Sequence, residues 1–272
     1  MIKQAIIPLA GLGTRMLPLT SVMPKELLPI NGKPNLEYIL EECLDAGVKQ
    51  FIFIISKKKM NIKKYFYNDI FYKKLIKKKK DKRIEKEYKK LKKYRKMIKF
   101  VYQNQPKGTG DAVLKCSNHI KGKYFLMLLP DDLIIKKNCT KEMIRLHKQK
   151  KGSVIGTKIV PKKNVSRWGI LSFKKKKKNS FKITDVVEKP KLKDAKSNYA
   201  IIGRYILPKK IMNEIKRLKP GQGKEIHITD AIKNLILKNE KFYGNIFKGK
   251  YLDCGTLNGY IKSGIEISKE NK

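Results

Sequence analysis

Four cysteines, at positions 43, 116, 139 and 254, are all that 272 residues contain. No two of them form a Cys-x-x-Cys pair. A disulfide scaffold and a zinc framework are thereby excluded, and the pattern predicts reduced thiols in a cytoplasmic protein. The three histidines, His119, His147 and His227, have no metal-ligand spacing either. Long apolar runs are missing as well. The longest, Tyr124 to Leu129, ends in Pro130, Asp131 and Asp132, whereas a membrane helix needs about 20 apolar residues. The opening MIKQAIIPLAG carries one lysine and an apolar stretch too short for a signal peptide, and it enters a predicted strand. Acidic residues are scarce, 23 against 66 basic ones for a net charge of +43. Such an excess raises the prospect of a nucleic-acid partner. Yet arginine, the better reader of bases and phosphates, supplies only seven of the 66. The charge is also spread along the chain instead of forming an arm. No specific nucleic acid and no membrane are expected as partners.

What the chain does contain is the composition of a folded protein, 41% hydrophobic with 18 glycines. Its first 56 residues alternate in the manner of a βαβ unit. Ile2 to Leu9 is a strand-length apolar run, with Pro8 placed where the strand gives way to a loop. Leu36, Ile39, Leu40, Cys43 and Leu44 recur at helical spacing, and Gly47 is positioned to end that helix. Phe51 to Ile55 suits a strand buried on both faces. Such units imply a parallel sheet with right-handed crossovers.

Residues 57–99 hold 21 basic and 4 acidic residues and read as one or two amphipathic helices, with Ile84, Tyr88, Leu91, Tyr94 and Ile98 on the apolar face. They form either a solvated helical insert packed on the sheet or a phosphate-attracting surface. Beyond them the pattern predicts strands at 99–103, 124–129, 153–159, 168–173, 181–187 and 199–207. It predicts helices at 109–120, 140–150 and 229–238. The lysine tract 174–178 reads as an exposed hairpin tip.

Two places carry chemistry. Gly11-Leu12-Gly13-Thr14-Arg15 follows the first strand, and glycines there let backbone N–H groups approach phosphate oxygens. The loop lacks the Gly-Lys-Ser/Thr of a P-loop and the third glycine of a dinucleotide fingerprint. Arg15 and Lys25 beside it suit a triphosphate, the first as a bidentate donor and the second as a point charge. Asp131 and Asp132 stand at the carboxyl end of a buried strand, where open α/β sheets bind ligands. They either hold Mg²⁺, which takes one or two carboxylates plus substrate phosphates, or cap the following loop. Asp253 is a candidate second carboxylate. Trp168 reads as core, or as pocket lining through its neighbour Gly169.

Eight ordered blocks complete the pattern: IIPLAGLGTRMLPLT from Ile6, then MPKELLPI, QPKGTGDAV, LLPDD, VVEKPK, SNYAIIGRYIL, GKEIHITDAI and LDCGT. Through them the chain resembles, from Ile6 to about Ile265, the bacterial UTP–glucose-1-phosphate uridylyltransferases, a branch of the sugar-nucleotide nucleotidyltransferases. The Gly-Leu-Gly loop and the Pro-Lys-Glu that follows match the UTP branch and not the sister thymidylyltransferases. Trp168 departs from the family, which usually has tyrosine there, and Leu257-Asn258 replace a more typical Lys-Leu.

The resemblance implies an α/β, Rossmann-like nucleotidyltransferase fold in a single domain over 1–272. Its central sheet would be mixed and mostly parallel, flanked by helices, with a small β-rich sugar-binding lobe. It implies transfer of the uridylyl group of UTP to glucose 1-phosphate with Mg²⁺ as cofactor, in a cytoplasmic homo-oligomer, dimer or tetramer. Ala10 and Gly11 would meet the nucleotide through backbone groups, with Gly13 and Thr14 completing the loop. Glu26 and Gln103 would read the uracil, and Gly108 would pack beside it. Arg15, Lys25 and Lys189 would be the catalytic cations, the first two on the triphosphate and Lys189 on the sugar phosphate. Gly169, Glu188 and Gly203 would form the sugar pocket, and Asp131 and Asp253 would hold the metal.

Overall fold

A computed structural model describes residues 2–270. The chain opens with β1 (Gln4–Pro8) and a short hairpin, β2 (Pro29–Ile30) with β3 (Lys33–Pro34), before α1 (Asn35–Asp45) and β4 (Gln50–Ile55). Pro8 is the last residue of its strand, where a missing N–H does least harm. Leu36, Ile39, Leu40 and Cys43 of α1 are all buried. The helix ends as its sequence predicts. Gly47 has φ +87°, its N–H donates to Leu44 O, and the Val48 N–H reaches back to Cys43 O, a Schellman stop.

The lysine-rich segment forms three helices and not one or two: α2 (Met60–Tyr67), α3 (Asp69–Lys79) and α4 (Lys82–Met97), entered through a 3-10 turn at Lys57–Lys59. The breaks fall at Asn68 and at Lys80, which takes a left-handed φ of +50°; neither site carries the glycine or proline that would have marked it. Ile62, Phe66, Leu91 and Tyr94 are buried and most lysines of the three helices face outward, in keeping with a solvated insert, whereas Lys59 on the entering turn is buried.

Next come β5 (Ile98–Tyr102), α5 (Thr109–Leu114), β6 (Tyr124–Leu128), β7 (Asp132–Ile135), α6 (Cys139–Lys150) and β8 (Ser153–Ile159). The helix expected over 109–120 stops at Leu114 and gives way to a 3-10 turn at Ser117–His119. The hairpin β9 (Gly169–Lys177) and β10 (Ser180–Glu188) follows, with its exposed lysines in the strand ends beside the turn. Then come β11 (Tyr199–Pro208), α7 (Ile211–Arg217), α8 (Ile228–Leu237), β12 (Phe242–Ile246), β13 (Lys250–Asp253) and α9 (Leu257–Glu270).

Nine strands form one mixed sheet in the order β5-β4-β1-β6-β11-β8-β12-β10-β9. From β5 to β6 every pairing is parallel, so the loops that follow β5, β4, β1 and β6 all emerge at one edge. Beyond β6 the pairings are antiparallel except β8 with β12. The β-rich part is thus a continuation of the same sheet. Alternate residues feed two cores: Ala5, Ile7, Phe51, Phe53 and Ile55 lie on one face, Ile6, Ile52 and Ile54 on the other. A separate ribbon pairs β7 with β13 and was not foreseen. Among the described residues no helix is long and apolar enough to cross a membrane, and the four cysteines are buried and free.

Candidate active site

The loop after β1 is pinned at both ends. The Leu9 N–H donates to Ile54 O at 2.7 Å, and buried Met16 anchors the 3-10 turn Thr14–Met16. Gly13 has φ +72°, and a Cβ there would meet Thr20 Cγ2 at 3.0 Å. Nothing lies within 4 Å of the Cβ position of Gly11, so the Ala10–Gly11 backbone is open to a ligand on that side. Arg15 extends from this loop with its side chain 59% exposed.

Lys25 stands on the 3-10 turn Lys25–Leu27 and donates to Asp131 Oδ2 at 2.5 Å, with Arg15 Nη2 3.5 Å from the same oxygen. Burial alone would lower the Lys25 ammonium, but the Asp131 and Glu26 carboxylates outweigh it and hold it above its ordinary range. Burial would likewise raise Asp131, and the attraction of Lys25 overcomes it and keeps that carboxyl low. Both groups are therefore charged at neutral pH.

Asp131 is tied to the β7–β13 ribbon, since the Cys254 N–H donates to its carbonyl at 2.7 Å. That bond brings Asp253 to the same region. A Cβ on Gly255 would lie 2.7 Å from Asp131 Oδ2, 2.7 Å from Arg15 Nη2 and 3.2 Å from Asp253 Oδ1. Only a residue without a side chain leaves that gap between the carboxylates open. Asp132 lines the same cavity as Asp131 but is held differently. Its Oδ1 accepts from the Tyr251 hydroxyl, and burial, with repulsion from Asp131, pushes its carboxyl up to about 7.

Gln103 follows β5, and its amide donates to Asp111 Oδ2 at 2.7 Å and to Gly108 O at 3.2 Å. Gly108 has φ +98°, and a Cβ there would sit 2.6 Å from Ile226 O, so glycine is required. Glu26 is 1% exposed. Both its oxygens take hydrogen bonds from Lys59, at 2.9 and 2.8 Å, a partner the sequence did not reveal among so many lysines.

At the other end of the site, Glu188 closes β10 and accepts from Thr229 Oγ1 at 3.0 Å. Gly169 opens β9 beside it, and a Cβ there would lie 3.1 Å from Glu188 Oε2. Lys189 has φ +43°. Its N–H donates to Trp168 O at 3.0 Å, and its side chain is 47% exposed, with Nζ 4.0 Å from Glu188. Gly203 has φ +57° within a β11 irregularity, and its missing side chain admits Asp132.

One cavity of about 170 Å³ joins these parts: Arg15, Asp131 and Asp253 line it together with Gly169, Glu188, Gly203 and Thr229. Trp168, Arg167 and Tyr251 line it too, so Trp168 is pocket lining. Lys158 stacks on that wall, its Nζ 3.5 Å from the Tyr251 ring centroid and 4.8 Å from that of Trp168. Lys25 and Lys189 do not line this cavity; nor do Ala10, Gly11, Gln103 and Gly108, which lie along the edge where the parallel strands end. The sequence did not single out Lys59, Arg204, Thr229, Tyr251 or Lys158. Arg204, Thr229 and Tyr251 lie in or beside motif blocks, which is the one signal that pointed near them.

The comparisons with known proteins agree with this architecture. The UTP–glucose-1-phosphate uridylyltransferase of Mycoplasma genitalium is 37% identical over 277 residues, covering 100% of this chain and 93% of the relative. A UDP-glucose pyrophosphorylase solved in complex with UDP-glucose superposes with a TM-score of 0.87 at 34% identity, over 99% of this chain and all of the other. A UTP-bound enzyme of the same kind from Acinetobacter baumannii gives 0.88 at 32% identity, over 99% and 94%. The family model for nucleotidyl transferases matches residues 4–270, and the chain belongs to that family.

Proposed function

We propose that this nucleotidyltransferase moves the uridylyl group of UTP to glucose 1-phosphate, giving UDP-glucose and pyrophosphate. The observation that carries this reading is the single cavity that joins a cation–carboxylate cluster, Arg15 and Asp131, to a polar pocket built on Glu188, Gly169 and Thr229. Relatives named for this reaction, and neighbours solved with UTP and UDP-glucose, supply the substrates.

The chemistry asks little of the protein beyond placement and charge. An oxygen of the sugar phosphate, already anionic, attacks the α-phosphorus of UTP; the new P–O bond forms as the bond to the β-phosphate oxygen breaks. No enzyme nucleophile and no general base is needed. Arg15 and Lys25 hold the triphosphate and stabilise charge on the departing pyrophosphate, while Lys189 holds the sugar phosphate in line. Glu188, with Gly169 and Gly203 beside it, takes the sugar hydroxyls. The backbone of Ala10 and Gly11, with Gly13 and Thr14, wraps the nucleotide, and Gln103 and Gly108 flank the base.

Among the described residues no group of three or more acidic, histidine or cysteine side chains is arranged for a metal. Two carboxylates beside an open gap at Gly255 fit Mg²⁺ all the same, since that ion is held by one or two carboxylates plus substrate phosphates. Asp131 and Asp253 would hold it, and when bound it neutralises charge on the phosphate oxygens.

The same reading includes a single catalytic domain and a cytoplasmic homo-oligomer. Leu257, Ile261 and Ile265, spaced by four and about half exposed along α9, support self-association, which sedimentation velocity tests directly. The deciding assay is pyrophosphate release from UTP with glucose 1-phosphate and Mg²⁺, beside dTTP, CTP, ATP and a no-metal control. UTP-selective release that needs sugar phosphate and metal is expected. Preference for another triphosphate reassigns the substrate, and no release from folded protein removes the reading.

A further inference from the structure

Five charged side chains of alternating sign connect the loop after β4 to the loop after β1: Lys59, Glu26, Lys25, Asp131 and Arg15. Lys59 donates to both Glu26 oxygens at 2.9 and 2.8 Å. Lys25 donates to Asp131 at 2.5 Å, and Arg15 stands 3.5 Å from the same oxygen. Glu26 and Lys25 are neighbours on one three-residue 3-10 turn, so a single short turn carries both ion pairs. Its own backbone bonds are few, Leu27 N–H to Pro24 O at 2.9 Å and Leu28 N–H to Lys25 O at 3.3 Å; Leu27 and buried Leu28 hold its far end against the core, so the Lys25–Glu26 end is the part left to the ion pairs.

Glu26 is 1% exposed and Lys59 7%. A carboxylate that is enclosed this completely, with both oxygens on one ammonium, has no surface left to offer a nucleobase. Either ion without the other would be left buried and uncompensated, so the pair holds together and the turn moves with it. Lys59 in turn is fixed by the structure around it. It ends the 3-10 turn that leaves β4, and α2 begins at the next residue, packing through Ile62 and Phe66.

We propose that Lys59 is a positioning residue for nucleotidyl transfer: by clamping Glu26 it fixes the Lys25–Leu27 turn and aims the Lys25 ammonium at the phosphate site, and Glu26 belongs to this clamp instead of reading the base. The inference rests on the uridylyltransferase reading. It gives the lysine-rich segment 57–99 one residue with a defined task, at its first turn.

The test is steady-state turnover of the full chain with UTP, dTTP and CTP in turn. Lys59→Met is expected to lower kcat about 10- to 100-fold, the range that a displacement near 1 Å produces. The loss should be the same for every triphosphate the unmodified protein accepts, with the KM for glucose 1-phosphate within about twofold of its starting value. Lys59→Arg, which keeps the charge, should recover most of it. In a Lys25→Ala background, Lys59→Met should add less than about threefold, because the group it positions is gone. If circular dichroism finds Lys59→Met unfolded, Lys59→Met/Glu26→Leu takes its place, since it leaves no buried charge unpaired, and the same fall is expected. Undiminished kcat in the folded variant overturns the proposal. So does a further loss of threefold or more on top of Lys25→Ala, or a change confined to base preference. Turnover of none of the triphosphates by the unmodified protein is a different failure: it removes the uridylyltransferase reading, and the proposal with it.

Discussion

Arg204 and Glu42, 162 residues apart, form an ion pair at 2.9 Å beneath the active site, the arginine fully buried. The same guanidinium donates to the carbonyls of Leu129, Gly203 and Asp132, the backbone that brackets Asp131. Arg204 therefore braces the turn on which the Lys25 contact depends, and Glu42 from α1 supplies the charge that makes its burial tolerable. Removing one partner of such a pair leaves an uncompensated buried charge and costs about 3–5 kcal/mol. Arg204→Met and Glu42→Gln should each lower the urea midpoint accordingly. The double variant Arg204→Met/Glu42→Gln should lose less than the sum of the two singles, and additive losses would show that the two residues act independently.

Gly203 stands next to Arg204 in chain and in role. Its φ of +57° is one that side chains rarely take, and a Cβ would lie 2.3 Å from Asp132 Oδ2 and 2.8 Å from Leu129 Cβ. Gly203→Ala should cost about 1–2 kcal/mol for the backbone and a further 1–3 kcal/mol for the overpacking. Because relief of the clash has to displace Asp132 or Leu129, the KM for glucose 1-phosphate should rise in the same variant. Equilibrium unfolding and steady-state kinetics measure the two parts separately.

The strands that support the site were legible because burial on both faces leaves a plain mark. Phe51 to Ile55 reads as an unbroken apolar run, and Gly47 marks the end of α1 through a requirement that only the backbone imposes. The Lys25, Asp131 and Glu188 positions were legible through ordered motif blocks. Illegible were features whose partners lie far along the chain. Asp132–Ile135 is four residues long and becomes a strand only when Lys250–Asp253 comes to pair with it. Arg204 and Lys59 are buried cations in a chain crowded with exposed ones, and composition holds nothing that separates them from the rest. The ends of α2 and α3 carry no glycine or proline, so the three helices merge in the pattern.

Asp45 gives the chain a small acid-dependent component. Its carboxylate accepts from Lys141 Nζ at 2.6 Å and from Asn138 Nδ2 at 2.8 Å, joining α1 to the start of α6. These hydrogen bonds, that from Lys141 foremost, hold its carboxyl below the ordinary range. A depressed carboxylate contributes stability that is complete above the unfolded value, about 3.9, and is lost as pH falls through the lower folded value. The side chain is 57% exposed, so the contribution is about 0.5 kcal/mol or less. Asp45→Asn should melt slightly below the unmodified protein at pH 7, and the gap should close as pH falls below the unfolded value and through the lower folded one. It should also shrink in 1 M salt, where exposed pairs are screened.

Lys189 separates binding from chemistry on the sugar side. Its backbone is held by Trp168 and carries a positive φ, so its side-chain direction is set by the β9–β10 frame and not by the half-solvated ammonium itself. On the proposed reading that ammonium steadies the attacking phosphate oxygen and aligns it with the α-phosphorus. Loss of one such charged contact typically removes about 10²–10³ in rate, near 2.7–4 kcal/mol of barrier. Lys189→Ala should therefore slow single-turnover pyrophosphate release by that factor while UTP binding, measured by titration calorimetry without sugar phosphate, stays unchanged. Lys189→Arg keeps the charge but alters its reach, and it should fall between the two. Near-normal single-turnover rates for Lys189→Ala would move the sugar phosphate away from this residue. Arg167, which lines the cavity 3.9 Å from Asp253, is then the cation to replace next.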